Sequence, residues 1–356
     1  MSSKQPLMQR LALRYPIIQA PMAGVATPAL AAAVSNIGGL GSLGVGAMSA
    51  AQVKAVIKET RHLTSHPISV NVFCHEPARR NDEVEQAWLH HLTPLFAKMN
   101  AQPPAFLEEI YPSFRTGSDV LQVLLEERPE VVSFHFGLPT SEQLSSLRNA
   151  GIYTMATATN LQEAKQIQDA GIDAVIAQGI EAGGHRGMFD PNAVDECLST
   201  FMLVRLLAKT CRLPVVAAGG IMDGHGIRAV LELGASAAQL GTAFLLCPES
   251  ACSPAYRTQL KSERAAQTCL TNTISGRPAR GIVNEFITFT KSSGSPPPPD
   301  YAVAYDAAKQ LHAAAAKLGN CECAAHCAGQ GAPLARELPV HELIEQLVKE
   351  ARLPRG

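Results

Sequence analysis

The sequence has almost no net charge and no long apolar segment. Its 356 residues include 30 basic and 31 acidic side chains, which gives a formal charge of −1. A protein that binds a nucleic acid backbone or an anionic membrane needs a basic patch, and the sequence contains no dense block of Lys and Arg. No stretch reaches the roughly 18 consecutive apolar residues of a membrane-spanning helix. We therefore expect neither nucleic acid nor membrane as a partner.

We also expect neither a dense cysteine framework nor a secretory leader. Nine cysteines scattered over a chain of this length do not resemble small disulfide-bonded secreted domains. Arg10 and Arg14 interrupt the N-terminal segment before an apolar run develops, so it does not resemble a signal peptide. We expect reduced cysteines and a cytoplasmic protein that is a monomer or a homodimer.

One cysteine-rich run, residues 321–327, contains four potential zinc ligands. They are Cys321, Cys323, His326 and Cys327. Structural zinc sites usually take ligands from two separate segments so that a tetrahedron can close, whereas this run is a single compact piece. We expect no metal here, and we interpret the run as a junction between a helix and a loop.

Short apolar runs, each followed by a helical stretch, repeat along the chain. Eight candidate strands occupy residues 16–22, 39–44, 68–73, 131–137, 152–158, 174–180, 215–221 and 237–244. Thr140 with Gln143 forms a capping box at one helix start, and Gly151, Gly171 and Gly234 stand where helices should end. Eight strand–helix units are the count of a TIM barrel.

A doubly wound sheet is the rival fold, because Gly39, Gly41 and Gly44 spell GxGxxG. A dinucleotide fingerprint needs these glycines after a strand and at the start of a helix. Here they follow an alanine-rich helix and supply the second strand themselves, so we interpret the match as accidental.

Two regions fall outside the barrel pattern. Residues 75–130 form a long excursion between the third and fourth strands, and residues 247–356 follow the eighth strand. We predict an α/β protein in which residues 1–246 form a TIM (β/α)8 barrel with an insertion at 75–130. Residues 247–356 would form a smaller, mainly helical second domain that caps the barrel.

The carboxyl ends of the predicted strands are rich in glycine and polar residues, and in TIM barrels these ends carry the chemistry. Gly219-Gly220 and Gly241-Thr242 follow the seventh and eighth strands, where barrels bind phosphate through backbone N–H groups. A side chain would block the approach of such an anion, so glycine suits the position. These glycines would also serve simple tight turns, but we favour phosphate.

The strongest local signal is the loop 178–187 after the sixth strand. It combines a glycine pair, the Gln178 amide, which could hydrogen-bond a heterocycle, and His185, whose imidazole suits proton transfer near neutral pH. A lone histidine is more often structural, but its place on a glycine-flanked loop favours catalysis for His185. His135 stands at the end of the fourth strand, where it could equally orient a neighbour.

Several motifs together resemble one enzyme family. They are YPIIQAPMAGV at 15–25, ISVNVF at 68–73, SFHFG at 133–137, IAQGIEAGGHRG at 176–187, PVVAAGGIMDG at 214–224, QLGTAF at 239–244, PDYAVAYDAAKQ at 299–310 and AGQGAPLAR at 328–336. These motifs resemble the nitronate monooxygenase family, formerly called 2-nitropropane dioxygenases, and its bacterial class I in particular. The resemblance covers nearly the whole chain, with Cys327 replacing the aromatic residue expected before AGQG.

The resemblance implies a TIM barrel with a smaller second domain that binds FMN without a covalent bond. It implies that His185 is the catalytic residue. Flavin-binding positions would be Met22, Asn71, Gln178, Gly183, Gly184, Gly220, Gln239, Leu240, Gly241 and Thr242. The substrate side would be lined by His135, Tyr111, Tyr301, Tyr305 and Lys309, of which the last three are spaced to share one helical face.

The implied activity is the oxidation of alkyl nitronates by O2 to a carbonyl compound plus nitrite or nitrate, through one-electron flavin chemistry. Lys309 and the tyrosines would favour a substrate with a second anionic group, such as propionate 3-nitronate. Two alternatives remain open. One is an FMN-dependent enoyl-acyl carrier protein reductase or NADH:quinone reductase on the same barrel. The other is a sensor that only binds a phosphorylated ligand.

Overall fold

A computed structural model describes residues 7–354 and confirms the barrel. Residues 1–6 and 355–356, which belong to the predicted ranges 1–246 and 247–356, lie outside the described residues. The strands are β1 Ile17–Gln19, β2 Gly41–Gly44, β3 Ile68–Phe73, β4 Val131–His135, β5 Tyr153–Ala158, β6 Ala174–Gln178, β7 Gly184–His185, β8 Val215–Ala218, β9 Ala237–Leu240, β10 Thr268–Thr271 and β11 Ala279–Ile282. Eight of them form one parallel sheet in the order β1-β9-β8-β6-β5-β4-β3-β2. A single parallel bridge between Ile18 and Leu40 joins the two ends of this sheet.

All eight predicted barrel strands are present, but several end earlier than predicted. The fourth ends at His135 because Phe136 and Gly137 have φ values of 70° and 134°, which extended backbone does not allow. The eighth ends at Leu240 and is followed by a 3-10 turn at Thr242–Phe244. The glycines at 41–44 lie in β2, after a helix, so the GxGxxG match lacks the context of a dinucleotide site.

The helices begin and end largely where the capping signals indicate. They are α1 Leu7–Arg10, α2 Pro28–Asn36, α3 Ala50–Leu63, α4 Asp82–Lys98, α5 Asp119–Glu127, α6 Ser141–Asn149, α7 Leu161–Asp169, α8 Thr200–Thr210, α9 Gly224–Glu232, α10 Pro254–Leu260, α11 Glu285–Thr290, α12 Val303–Lys317 and α13 Val340–Ala351. Thr140 and Gln143 cap each other reciprocally at the start of α6. Among the residues described, no helix is long and apolar enough to cross a membrane.

Two buried clusters pack on the two sides of the barrel strands, one outside and one inside the barrel. Residues on the helix side of the strands, such as Val70 and Val175, pack against the surrounding helices. Inward-facing residues, such as Ile18 and Met155, form a separate inner cluster that also contains Leu7 and Leu11 from the N-terminal helix and the turn after it. Because apolar side chains fill this inner region, the space for a ligand lies at the other end, beyond the carboxyl ends of the strands.

A second structural layer covers that end. The inserted helix α4 contributes Trp88 and Leu92 to a cluster shared with α11 and α12, which contribute Phe286 and Leu311. This layer also contains a three-stranded antiparallel sheet, β10-β11-β7, that the sequence did not lead us to predict. Strand β7 belongs to the loop after β6, so the sheet links the barrel to the cap.

The last helix returns to the barrel. Helix α13 packs between α2 and α9, and its Leu343 and Leu347 belong to the outer barrel core. It therefore occupies the position of a helix following β9, and the cap is inserted before it. The division of the chain at residue 246 stays a prediction, but residues 340–351 lie with the barrel.

Candidate active site

A cavity of about 420 Å³ lies between the carboxyl ends of the barrel strands and the cap. Its floor includes Asn71 of β3, Gln178 of β6 and Gln239 of β9, and its roof includes Tyr305 and Lys309 of α12. The placement is the one that the barrel fold favours for function, because the loops after the strands converge there.

The structure brings nearly all of the predicted site residues to this cavity. The lining includes Met22, Asn71, Tyr111, His135, Gln178, Gly183, Gly184, His185, Gly220, Gln239, Gly241, Thr242, Tyr301, Tyr305 and Lys309. Leu240 is the exception, because side chains alternate along a strand and its neighbour Gln239 faces the cavity. The Leu240 side chain is buried in the outer barrel core instead.

His185 is held between the barrel and the cap. Its strand β7 pairs with β11, with His185 opposite Ala279. Its Nε2 lies 2.7 Å from the Ser275 hydroxyl, and its ring meets Phe136 and Tyr301 edge to face at centroid distances of 5.6 Å each. Burial, together with repulsion from His135 and Arg277, lowers the pKa of His185 to about 3. The imidazole is therefore neutral near pH 7.

His135 orients the backbone of His185. Its Nδ1 lies 3.1 Å from the Thr157 hydroxyl, and its Nε2 lies 3.2 Å from the His185 carbonyl oxygen. This arrangement has Nε2 donating to the carbonyl, which leaves Nδ1 to accept the Thr157 hydroxyl proton. Burial lowers the pKa of His135 to about 4, so this ring is also neutral.

The Gln178 amide also holds this loop. Its Nε2 donates to the His185 carbonyl oxygen at 3.0 Å, and its Oε1 accepts from the Gly187 N–H at 2.8 Å. Arg186, almost fully buried, donates to the Gln178 carbonyl at 2.9 Å and forms a bidentate pair with Asp195. Much of the hydrogen-bonding capacity that we expected Gln178 to offer to a heterocycle is thus used to fix the loop.

Glycine is required where three loops approach one another. A Cβ on Gly183 would lie 2.4 Å from the Gly329 backbone nitrogen, which is too close for any side chain. Gly220 has φ +68°, a left-handed conformation that favours glycine. The Thr242 hydroxyl accepts from the Gly329 N–H at 3.0 Å and so ties the end of the eighth barrel strand to the cap.

The cap side of the cavity is aromatic and carries one lysine. The Lys309 Nζ lies 4.9 Å from the Tyr111 ring centroid and 5.6 Å from that of Tyr305. Helix α12 begins only at Val303, so Tyr301 precedes it, although all three predicted residues reach the cavity. This wall combines a cation with tyrosine side chains.

The structure adds residues to the site that were not predicted from the sequence, among them Phe136, Ser275 and Arg277. Phe136 fell inside a predicted strand, but it takes a left-handed backbone conformation and lines the cavity. Ser275 and Arg277 lie in the turn before β11, and Ser275 contacts a histidine 90 positions away. No local pattern indicates such a contact, because it depends on the pairing of β7 with β11.

Buried neutral histidines should make the protein less stable in acid. Burial lowers the pKa of His75 to about 4, as it does for His135, from an ordinary value of 6.5. In the unfolded chain these imidazoles bind a proton below about pH 6.5, whereas in the folded protein they do so only near pH 4. The free energy of unfolding therefore falls as the pH drops through this window. Each such histidine contributes up to about 1.4 kcal/mol per pH unit. Urea unfolding at about pH 7 and about pH 5 measures the loss.

The variant His75→Gln should lose less free energy of unfolding between about pH 7 and about pH 5 than the parent protein loses. The exposed His62→Gln serves as the matched control. A loss in His75→Gln equal to that of the parent protein would contradict the neutral, buried state of His75.

The chain is similar to known proteins over nearly its whole length. The family model for nitronate monooxygenase matches residues 4–350. A nitronate monooxygenase of Paraburkholderia phytofirmans is 56% identical over 99% of this chain and 96% of its own length. The crystal structure of nitroalkane oxidase from Streptomyces ansochromogenes is similar with a TM-score of 0.88 and 39% identity, over 98% of both chains. FabK from Thermotoga maritima is similar with a TM-score of 0.74 and 29% identity, over 97% of this chain and 95% of its own. The resemblance seen in the motifs is confirmed: the chain belongs to the nitronate monooxygenase family of oxidoreductases, which supports oxidation of nitronates as its activity.

Proposed function

We propose that the protein is an FMN-dependent monooxygenase that oxidises alkyl nitronates with O2 to a carbonyl compound and nitrite or nitrate. The observation that carries this proposal is a neutral, buried imidazole, His185, facing a cavity that is also lined by glycine loops and by a tyrosine-rich wall with Lys309. We also retain the cytoplasm as the expected compartment.

The cavity suits a flavin nucleotide. Its volume of about 420 Å³ falls in the range of about 300–1,000 Å³ that is typical of small-molecule sites. Gly220 and Gly241 carry no side chain that would block an anion and, with Thr242, would hold the phosphate, while Met22 and Asn71 would contact the ring system. FMN, when bound, supplies the redox chemistry, and the protein positions the reactants.

His185 would act as a base on neutral nitroalkanes. The Ser275 hydroxyl can donate to the Arg277 carbonyl oxygen, 3.3 Å away, and then accepts from His185 Nε2–H. This arrangement leaves the lone pair on Nδ1, the nitrogen available to take the α-proton of a nitroalkane. A preformed nitronate needs no deprotonation, so for such a substrate His185 serves to bind and orient the anion.

Lys309 would recognise a second anionic group on the substrate. The ammonium group reaches the cavity between two tyrosine rings, so a carboxylate near it would gain a charge-assisted hydrogen bond. Propionate 3-nitronate carries such a carboxylate. We therefore propose it as the preferred substrate.

The variant His185→Asn should separate the two substrate classes. Activity on neutral nitroethane should fall by about 100- to 10,000-fold, the usual effect of losing a general base. Activity on ethyl nitronate, which has the same carbon skeleton, should fall by less than about tenfold. Steady-state kinetics with both compounds measure this. Equal losses on both compounds would show that His185 does not act as the base.

The variant Lys309→Met should raise the KM for propionate 3-nitronate by about tenfold or more, because a hydrogen bond to a charged group is lost. The KM for ethyl nitronate, which has no carboxylate, should change by less than about twofold. Lys309→Arg, which keeps the charge, is the matched control. If Lys309→Met left the KM for propionate 3-nitronate unchanged, the role of the lysine would be refuted.

Anaerobic reduction of the bound flavin distinguishes the proposal from its rivals. Propionate 3-nitronate alone should bleach the visible absorbance of the purified protein, because a nitronate is itself an electron donor. An enoyl-acyl carrier protein reductase or an NADH:quinone reductase on this barrel would instead respond rapidly to NADH alone, and that result would overturn the proposal. A protein purified without a yellow chromophore would favour the phosphorylated-ligand sensor.

A further inference from the structure

A buried arginine lies directly behind the aromatic wall of the cavity. The Arg277 side chain is only 3% exposed. Its guanidinium carbon lies 4.5 Å from the Phe136 ring centroid and 6.0 Å from that of Tyr301. Its Nη1 donates to the Met188 carbonyl oxygen at 2.7 Å, and its Nη2 donates to the Phe189 carbonyl oxygen at 3.3 Å. The arginine is thus fixed in place by the loop that follows β7.

The charge of Arg277 has no carboxylate paired with it. Within residues 7–354, the carboxylates of Asp190, Glu163 and Asp300 act on Arg277 only through space. Burial lowers its pKa to about 10, so the guanidinium stays protonated at neutral pH. The nearby Arg186 is equally buried, but it is neutralised by a bidentate pair with Asp195 at 2.8 and 2.9 Å.

An unpaired buried cation is costly to the fold, so its presence beside a cavity calls for an explanation. An anion in the cavity would supply the missing counter-charge. Such an anion would in turn be stabilised, because charges interact more strongly where water is excluded.

The charge of Arg277 acts on the residues around His185. The Phe136 ring contacts both Arg277, through its face, and His185, which it meets edge to face. Repulsion from Arg277 contributes to the lowered pKa values of both His185 and His135. Lys309 is a separate cation, located at the tyrosines Tyr111 and Tyr305.

We propose that Arg277 is a positioning residue that makes the cavity prefer planar oxyanions to neutral nitro compounds, through a fixed positive charge behind Phe136 and without contacting the substrate. This inference rests on the proposed function, because it assigns the selection of the nitronate anion to one residue. The groups that face His185 are His135 from β4, Tyr301 before α12, Tyr305 of α12, and Ser275 and Arg277 before β11. Of these, only Arg277 carries a charge near neutral pH.

Nitrate, a planar oxyanion that needs no turnover, is the probe. Its affinity is measured on the purified protein from the dependence of Tm on nitrate concentration. Arg277→Gln, which removes the charge, should weaken nitrate binding by about tenfold or more. Arg277→Lys, which keeps the charge, should stay within about threefold of the parent protein. The KM for nitroethane, which is neutral, should change by less than about threefold in both variants.

Equal weakening of nitrate binding in both variants would overturn the proposal, because Arg277 would then matter only for packing. No weakening in Arg277→Gln would also overturn it. If Arg277→Gln does not fold, Arg277→Met takes its place, since an apolar side chain is easier to bury than an unpaired polar group.

The unaltered protein gives an independent test. Nitrate affinity should be constant between about pH 5 and about pH 9, because Arg277 keeps its charge over this range. An affinity that fell as the pH rose through about 6 to 7 would assign the anion site to an imidazolium ion and overturn the proposal. The nitrate measurements do not involve nitronate turnover. A protein that failed to oxidise nitronates would therefore refute the proposed function without deciding the role of Arg277.

Discussion

The backbone carbonyl of His185 is the point on which the site depends. It lies within hydrogen-bond distance of two side chains from the barrel, the Gln178 amide nitrogen at 3.0 Å and His135 Nε2 at 3.2 Å. The same short strand pairs with β11 of the cap. The position of the imidazole is therefore set by both structural layers, and neither layer alone would place it. Such support by surrounding hydrogen bonds is what gives a functional group a defined geometry.

Exclusion of water from this region determines its electrostatics. Burial is the largest cause of the lowered pKa of His185, His135 and His75, so the imidazoles stay uncharged while Arg277 keeps its proton. A neutral imidazole has a lone pair that can accept a proton, and a permanent cation nearby favours the anion that results. The same burial reduces stability in acid, because the unfolded chain binds protons that the folded protein resists.

The parts of the fold that could be predicted from the sequence are those that local sequence patterns indicate. The barrel strands are apolar runs separated by capping signals such as Thr140 with Gln143, and the glycines at strand ends mark the loops that line the cavity. The sheet β10-β11-β7 was missed because β7 has only two residues and its pairing joins distant segments. Ser275 and Arg277 were missed for the same reason. The Leu240 side chain lies in the outer barrel core, because adjacent strand residues face opposite sides and Gln239 faces the cavity. The assignment of Leu240 to the flavin site stays a prediction.

The chain connectivity explains how the cap can define the site. The cap is formed by two insertions into the barrel, one between β3 and α5 and the other between β9 and α13, and they share the cluster around Trp88 and Leu311. Each insertion leaves from the barrel and returns to it, since α5 packs against α3 and α13 packs against α2 and α9. Both ends of each insertion are therefore anchored, which restricts the conformations open to the cap relative to a domain joined by one linker. Tyr111 from the first insertion and Lys309 from the second can then meet over the same cavity, within 4.9 Å, although almost 200 residues separate them in the sequence.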